Sequence, residues 1–259
     1  MSLHVLLSND DGVHAAGIRS LHERLRLDNR VTVIAPLEER STTGHSISLD
    51  KPLRLESFGE GVYGCSGFPG DCILMGLGHV LKNDRPQLVV SGINRGANLG
   101  QDLYYSGTVA AAREAAFHGV PSIAVSLVFR DLTNPQPAYN SAAEVIARLI
   151  KHGIHQVIPP LTLLNVNVPD IAFKDLRGHE LTRVGFRHYS EEVHERIDSR
   201  GRAYYWIAGL YKGFTPGEGS DCAAVEMNKI AITAHVLTGA PQPDWRPIEE
   251  LLKQVSWSS

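Results

Sequence analysis

Short apolar runs rich in β-branched residues alternate with helical patterns through the first half of the chain, and this alternation narrows the fold more than any other feature. Val5-Leu6-Leu7 and residues 31–35 read as strands, and between them Ile18, Leu21 and Leu25 recur at helical spacing. Leu88-Val89-Val90 and Ile123-Ala124-Val125 repeat the unit, separated by the alanine-rich stretch 108–117 and preceded by a predicted helix over 71–81. Strands that alternate with helices pair side by side only through crossovers, which gives a mostly parallel sheet with helices on both faces. A helix is predicted over 141–150 and a strand over 163–168, stopped by Pro169. The pattern then changes. Residues 193–197 and 204–207 flank Asp198-Ser199-Arg200-Gly201 as a long hairpin, 229–236 is another β-rich run, and 241–247 leads into a short terminal helix. The expectation is one α/β domain, with a core over 1–170 and a β-rich excursion over 171–259, without internal repeats or a linker.

At 259 residues the chain is long enough to bury a substantial core. Its net charge of −3 gives no electrostatic reason to bind a phosphate backbone, so a nucleic acid polymer is not expected as a partner. Cys65, Cys72 and Cys222 are odd in number and form no C-x-x-C, which argues against a disulfide framework or a cysteine zinc site and for a reducing cytoplasm. Met1-Ser2-Leu3-His4 has no basic n-region and no apolar stretch approaches membrane-spanning length, so neither export nor membrane insertion is expected.

In an open α/β sheet, ligands bind beyond the carboxyl ends of the strands, so the loops there are where chemistry is expected. The first loop, Ser8-Asn9-Asp10-Asp11-Gly12, sets two carboxylates side by side, and such hard oxygen donors suit Mg²⁺ or Mn²⁺ better than zinc. Along a continuing strand Asp10 and Asp11 point to opposite faces, so both reach one ion only if the backbone turns, as Gly12 permits. A loop with two solvated acids is the alternative. After the second strand come Ser41, Thr42, Thr43, Ser46 and Ser48; after the third comes Ser91-Gly92-Ile93-Asn94-Arg95-Gly96-Ala97-Asn98-Leu99-Gly100. A helix is predicted to begin near Tyr105-Ser106-Gly107-Thr108, where free backbone amides and the helix dipole favour an anion such as phosphate. Ser106 is equally readable as a simple N-cap. His45 is either a proton-transfer group or a solvated loop residue.

Together these residues resemble the SurE family of stationary-phase survival proteins, metal-dependent 5′/3′-nucleotidases. The resemblance covers nearly the whole chain. It rests on Ser8-Asn9-Asp10-Asp11-Gly12, Ala35-Pro36 followed by Ser41, Ser91-Gly92-Ile93-Asn94 with Gly96, Asn98-Leu99-Gly100 and Tyr105-Ser106-Gly107-Thr108. Leu164-Asn165-Val166-Asn167-Val168-Pro169, Asp198 with Arg200-Gly201, Tyr204-Tyr205-Trp206-Ile207 and Gly219-Ser220-Asp221 continue it. It implies a Rossmann-like fold and one divalent ion per subunit, Mg²⁺ or Mn²⁺, held by Asp10, Asp11, Ser41 and Asn94. Asp10 and Asp11 would be catalytic, and Asn9, Asn98, Ser106, Gly107 and Thr108 would hold phosphate. The implied reaction is hydrolysis of nucleoside 5′- and 3′-monophosphates, extending to short-chain polyphosphate. The implied assembly is a homodimer that pairs again into a tetramer. Phe68 departs from the family pattern, standing where Thr is common, and no Asp follows Pro36; both departures bear on substrate preference.

Phosphate monoesters hydrolyse very slowly in water, so an enzyme must neutralise charge and deliver an oxygen nucleophile in line. Water activated beside a divalent ion is the expected nucleophile, with direct attack by Asp10 or Asp11 as the alternative. Two other classes share parts of the pattern. A receiver-like signalling domain needs an acceptor Asp after its third strand, where Ser91-Gly92-Ile93-Asn94 stands. A dinucleotide-binding oxidoreductase needs G-x-G-x-x-G after a strand, where Asp-Asp-Gly stands. A non-enzymatic nucleotide-binding module stays open. The hairpin is either a dimerisation arm, since a two-stranded ribbon is marginal alone, or a lid over its own site.

Overall fold

The computed structural model describes residues 2–129, 133–237, 239 and 243–257. From β1 (His4–Ser8) the chain passes through α1 (Ala16–Leu25) to β2 (Arg30–Pro36), moves outward to β3 (Leu55–Ser57) and β4 (Val62–Cys65), and returns through α2 (Pro69–Met75) to β5 (Leu88–Arg95). Then α3 (Gly107–Phe117), β6 (Ser122–Val128), α4 (Tyr139–Lys151) and β7 (Thr162–Pro169) extend the sheet on the far side of β1. After β8 (His179–Thr182) the chain leaves the sheet as β9 (Arg187–Tyr189), β10 (Val193–Ile197), β11 (Ala203–Ile207) and β12 (Tyr211–Phe214), and comes back through α5 (Asp221–Glu226), β13 (Ile230–Val236) and α6 (Arg246–Gln254).

The strand order is β3-β4-β2-β1-β5-β6-β7-β13-β8 among the described residues. Pairing is parallel from β4 to β7, while β3 and β13 run antiparallel to β4 and β7. The strand period of two divides the core cleanly. Val5, Leu7, Val33, Val90 and Ile123 pack with Ile18 and Leu21 of α1 and Val145 and Ile146 of α4 on one face. Leu6, Ile34 and Val89 pack with Cys72 and Ile73 of α2 and Ala111 and Ala115 of α3 on the other. Gly17 lets α1 close onto β5: a Cβ there would stand 2.0 Å from the Ile93 carbonyl oxygen.

The helix expected over 71–81 is split. It ends at Met75 and continues as one π turn, Gly76–Val80. Gly76 abuts Leu6, leaving 2.9 Å between a Cβ built there and Leu6 Cδ2. The hairpin expected around Asp198 is present as β10 and β11, and the terminal helix is present as α6. The lead-in at 241–242 lies outside the described residues.

Because β2 leaves β1 on one side and β5 lies on the other, the order reverses between β1 and β5. Such a switch opens a crevice at the carboxyl ends of the strands. The residues of the site converge there.

Candidate active site

The turn after β1 is built by Asn9 and Gly12. Asn9 is fully buried; its Nδ2 donates to the Gly12 carbonyl at 2.9 Å, and the Gly12 amide donates to Asn9 Oδ1 at 3.2 Å. Gly12 has φ +102°, a conformation that side chains rarely adopt. Asn9 therefore shapes the loop, and it does not line the cleft.

Asp10 points at the start of α3. It is 3% exposed and accepts a hydrogen bond from the Thr108 hydroxyl. Burial pushes its carboxyl pKa up, opposed by that hydroxyl and by the Thr108 and Gly107 amides. Gly107 is required for this approach, since a Cβ there would come within 2.8 Å of Asp10 Cβ. Ser106 is the N-cap of α3, accepting from the Val109 amide at 3.1 Å, and it also faces the cleft. The N-cap reading of Ser106 thus holds.

Asp11 turns the other way. Its Oδ2 accepts from the Arg95 amide at 3.2 Å, and burial, reinforced by the charge of Asp10, pushes its pKa up to about 7. Asp10 lines a cleft of about 810 Å³ together with Ser41, Asn94, Asn98 and Ser106, whereas Asp11 lines an adjoining cavity of about 520 Å³ with Glu39 and Tyr139. Ser41 and Arg95 line both, so the acid pair straddles a boundary that the two residues share. Ser41 donates to Glu39 Oε1 at 2.8 Å, and Asn94 Nδ2 donates to the Gly96 carbonyl at 2.9 Å.

These residues suit a hard divalent cation. Asp10 is buried and Asp11 half-buried; burial resists ionisation of both, and the charge of Asp10 adds to this at Asp11, so the pair gains most from a neighbouring cation. The Nδ2 bond of Asn94 leaves its Oδ1 as the donor atom for an ion. Among the described residues no three His, Cys, Asp or Glu side chains gather to hold a metal, so ligands beyond the acid pair would be neutral oxygens and water.

Asn98 is held on nearly every side. Its amide donates to Asn167 Oδ1 at 2.9 Å, its carbonyl accepts from Asn165 Nδ2 at 2.8 Å and Asn167 Nδ2 at 3.1 Å, and its own Nδ2 donates to Ser126 Oγ at 2.8 Å. Two residues on, the Gly100 amide donates to Asp221 Oδ2 at 2.9 Å. A buried strand has no reason to carry polar residues at alternate positions unless something on that face needs them, and Asn165 and Asn167 are such a pair.

Comparison with known proteins fits this geometry. The model of the family described as survival protein SurE matches residues 5–191. The chain belongs to the SurE family. It is similar to the protein named 5′-nucleotidase SurE from Geobacter sulfurreducens, 45% identical over 89% of this chain and 87% of that one. The protein of the same name from Anaeromyxobacter dehalogenans is 46% identical over 93% and 92% of the two chains. The crystal structure of the SurE protein from Aquifex aeolicus superposes with a TM-score of 0.80 at 36% identity, covering 95% of this chain and 97% of that one.

Of the nine residues that the resemblance marked out, Asp10, Ser41, Asn94, Asn98 and Ser106 meet in the SurE cleft. Asn9, Gly107 and Thr108 lie behind it, supporting Asp10 and its loop, and Asp11 faces the adjoining cavity. His45 is in neither cavity: its Nε2 pairs with Glu114 Oε2 at 2.8 Å and its ring stacks on Phe117. Phe68 caps the start of α2 with its amide on Asp71 Oδ2 at 2.9 Å and lies under Arg40 and Lys51. Arg95, Asp102 and Tyr189 also line the cleft, and sequence reading singled out none of them. The signal of Tyr189 was weak because β9 is three residues long and pairs with β12, more than twenty positions away.

Proposed function

We propose that this chain is a divalent-metal-dependent phosphomonoesterase that releases phosphate from nucleoside 5′-monophosphates, with 3′-monophosphates and short-chain polyphosphate as further substrates. The observation that carries this is the placement of the Asp10 carboxylate against the first amides of α3, in a cleft that also presents Ser106 and Asn98. A phosphate dianion entering that cleft meets an acid, and charge balance then requires a cation.

A bound Mg²⁺ or Mn²⁺ would neutralise phosphoryl charge and lower the pKa of a water, and Asp10, Asp11, Asn94 and Ser41 are the residues to hold it. The chain supplies the rest. Thr108 and the α3 amides fix Asp10 in one orientation, which favours an anchoring role over attack on phosphorus. Ser106 and the Asn98 side chain are placed to orient phosphoryl oxygens, with Asn98 held rigid by β6 and β7. The names of the relatives from Geobacter and Anaeromyxobacter support the nucleotidase reading over a non-enzymatic or receiver-like one. We further propose that the protein is a homodimer, able to pair again into a tetramer, and that it works in a reducing cytoplasm, where its three buried cysteines stay as free thiols. No helix among the described residues is long and apolar enough to cross a membrane.

The test is phosphate release from adenosine 5′-monophosphate with Mn²⁺ or Mg²⁺ present and after chelation. Turnover that needs added metal and stops with chelator is expected. Full turnover in excess chelator would remove the metal from the mechanism, and no turnover with any monophosphate would remove the activity.

A further inference from the structure

The 810 Å³ cleft has a wall for which phosphate chemistry has no use. Tyr189, at the end of β9, and Tyr105, just before the N-cap of α3, both line it. Tyr189 is held there with more care than a surface tyrosine needs. Its hydroxyl donates to Asp102 Oδ2 at 2.5 Å, and Arg187 Nη1 donates to the same oxygen at 2.5 Å. The Arg187 guanidinium lies 5.4 Å from the centroid of the Tyr189 ring and 4.2 Å from that of Tyr211. Gln101 pairs with the Arg187 backbone in both directions, at 2.9 Å and 2.6 Å. β9 is thereby fastened to the 3-10 turn Gly100–Tyr104, while the Tyr189 side chain stays 40% exposed.

An immobilised aromatic face that remains open to a ligand-sized cleft is suited to stacking. Cavities of roughly 300–1,000 Å³ hold small-molecule ligands, and a tyrosine face accepts any base because every base has a π-face. We propose that Tyr189, positioned by Asp102 and Arg187, is the surface on which the base of the nucleotide stacks, and that it makes this site selective for nucleotides over sugar phosphates. This rests on the phosphomonoesterase reading of the cleft. The ordering of Tyr189 before substrate arrives is what makes the stack effective, since a pre-fixed ring loses little freedom on binding.

The experiment compares kcat/KM for adenosine 5′-monophosphate and ribose 5-phosphate, which share sugar and phosphate and differ by the base. It uses the full chain with Mn²⁺, in wild type, Tyr189→Phe and Tyr189→Leu, with adenosine binding measured by calorimetry alongside. The wild type is expected to prefer the nucleotide by about 5- to 150-fold, the range that one stacked base supplies. Tyr189→Leu should cut that ratio at least about fivefold, chiefly through KM, and weaken adenosine binding, while Tyr189→Phe, which keeps the ring, should retain most of both. A ratio near one in wild type, or an unchanged ratio in Tyr189→Leu, overturns the proposal, because a merely structural tyrosine would lower both substrates together. If wild type hydrolyses neither compound, the phosphomonoesterase reading falls separately, and adenosine binding decides this one: binding that depends on the Tyr189 ring supports it, and absent or ring-independent binding overturns it.

Discussion

Asp10 occupies the place at the start of α3 where a free anion is expected, and this changes the part that Thr108 plays. The hydroxyl of Thr108 is bonded to Asp10, so it acts on the carboxylate first and on phosphate only through it. Thr108→Val keeps the shape and removes the donor. Hydrogen bonds to charged groups are worth about 1.5–3 kcal/mol, so kcat should fall on the order of 10- to 100-fold if that orientation is used in the transition state. Steady-state kinetics beside a thermal melt checks this, and unchanged kcat would relegate Thr108 to packing. Asn167→Ala should instead raise KM and the inhibition constant of inorganic phosphate, because it removes two of the three bonds that tie the backbone of Asn98 to β7 and leaves only that from Asn165. A change confined to Tm would mean that Asn98 does not touch phosphate. The acid pair was legible because Asp-Asp-Gly after a strand is a compact local signal. The Asp10–Thr108 bond spans 98 positions, and the Asn98–Asn167 bond 69, and no local pattern encodes such distances.

Elements with strong periodicity were legible and short ones were not. Ile18, Leu21 and Leu25 all reach the core, as their spacing requires, and the central strands read as unbroken apolar runs because both faces are covered. β3, β4 and β8 have three or four residues each and mixed burial, too few for a period to show. The hydroxyl-rich loop after β2 is tied to α3 through His45, which pairs with Glu114 and stacks on Phe117. The hydrogen bond from His45 holds the Glu114 carboxyl below its usual pKa of 4.5, helped by the charges of His45 and His118. A carboxyl depressed by folding stabilises the folded state fully above its unfolded pKa, and that contribution is lost as pH falls through the lower folded value. Glu114→Gln should therefore melt below wild type at pH 7, with the gap closing as pH is lowered beneath about 4. Circular dichroism melts across that range give the test, and a gap independent of pH would show that shape rather than charge at Glu114 holds the loop.

At the scale of the whole molecule, the ribbon of β10 and β11 is the part that the single chain leaves unfinished. Its register puts Val193, Ile197, Tyr205 and Ile207 on one face and His194, Arg196, Tyr204 and Trp206 on the other, so each face carries large side chains. All ten residues are exposed, with Ile197 at 71%, Trp206 at 65% and Ile207 at 91%. Exposed apolar area of this kind marks an interaction site, and burying it yields roughly 25 cal/mol per Å². Ile207 also borders the cleft, which keeps the lid reading in play. The two readings separate by concentration: a lid closes within one chain, whereas an arm exchanged between two chains holds a dimer together. Replacing residues 192–204 with a short turn should convert a dimer into a monomer by light scattering, and wild type should melt at a temperature that rises with protein concentration. A wild type that is monomeric throughout, or a shortened chain that remains dimeric, would give the ribbon to the lid.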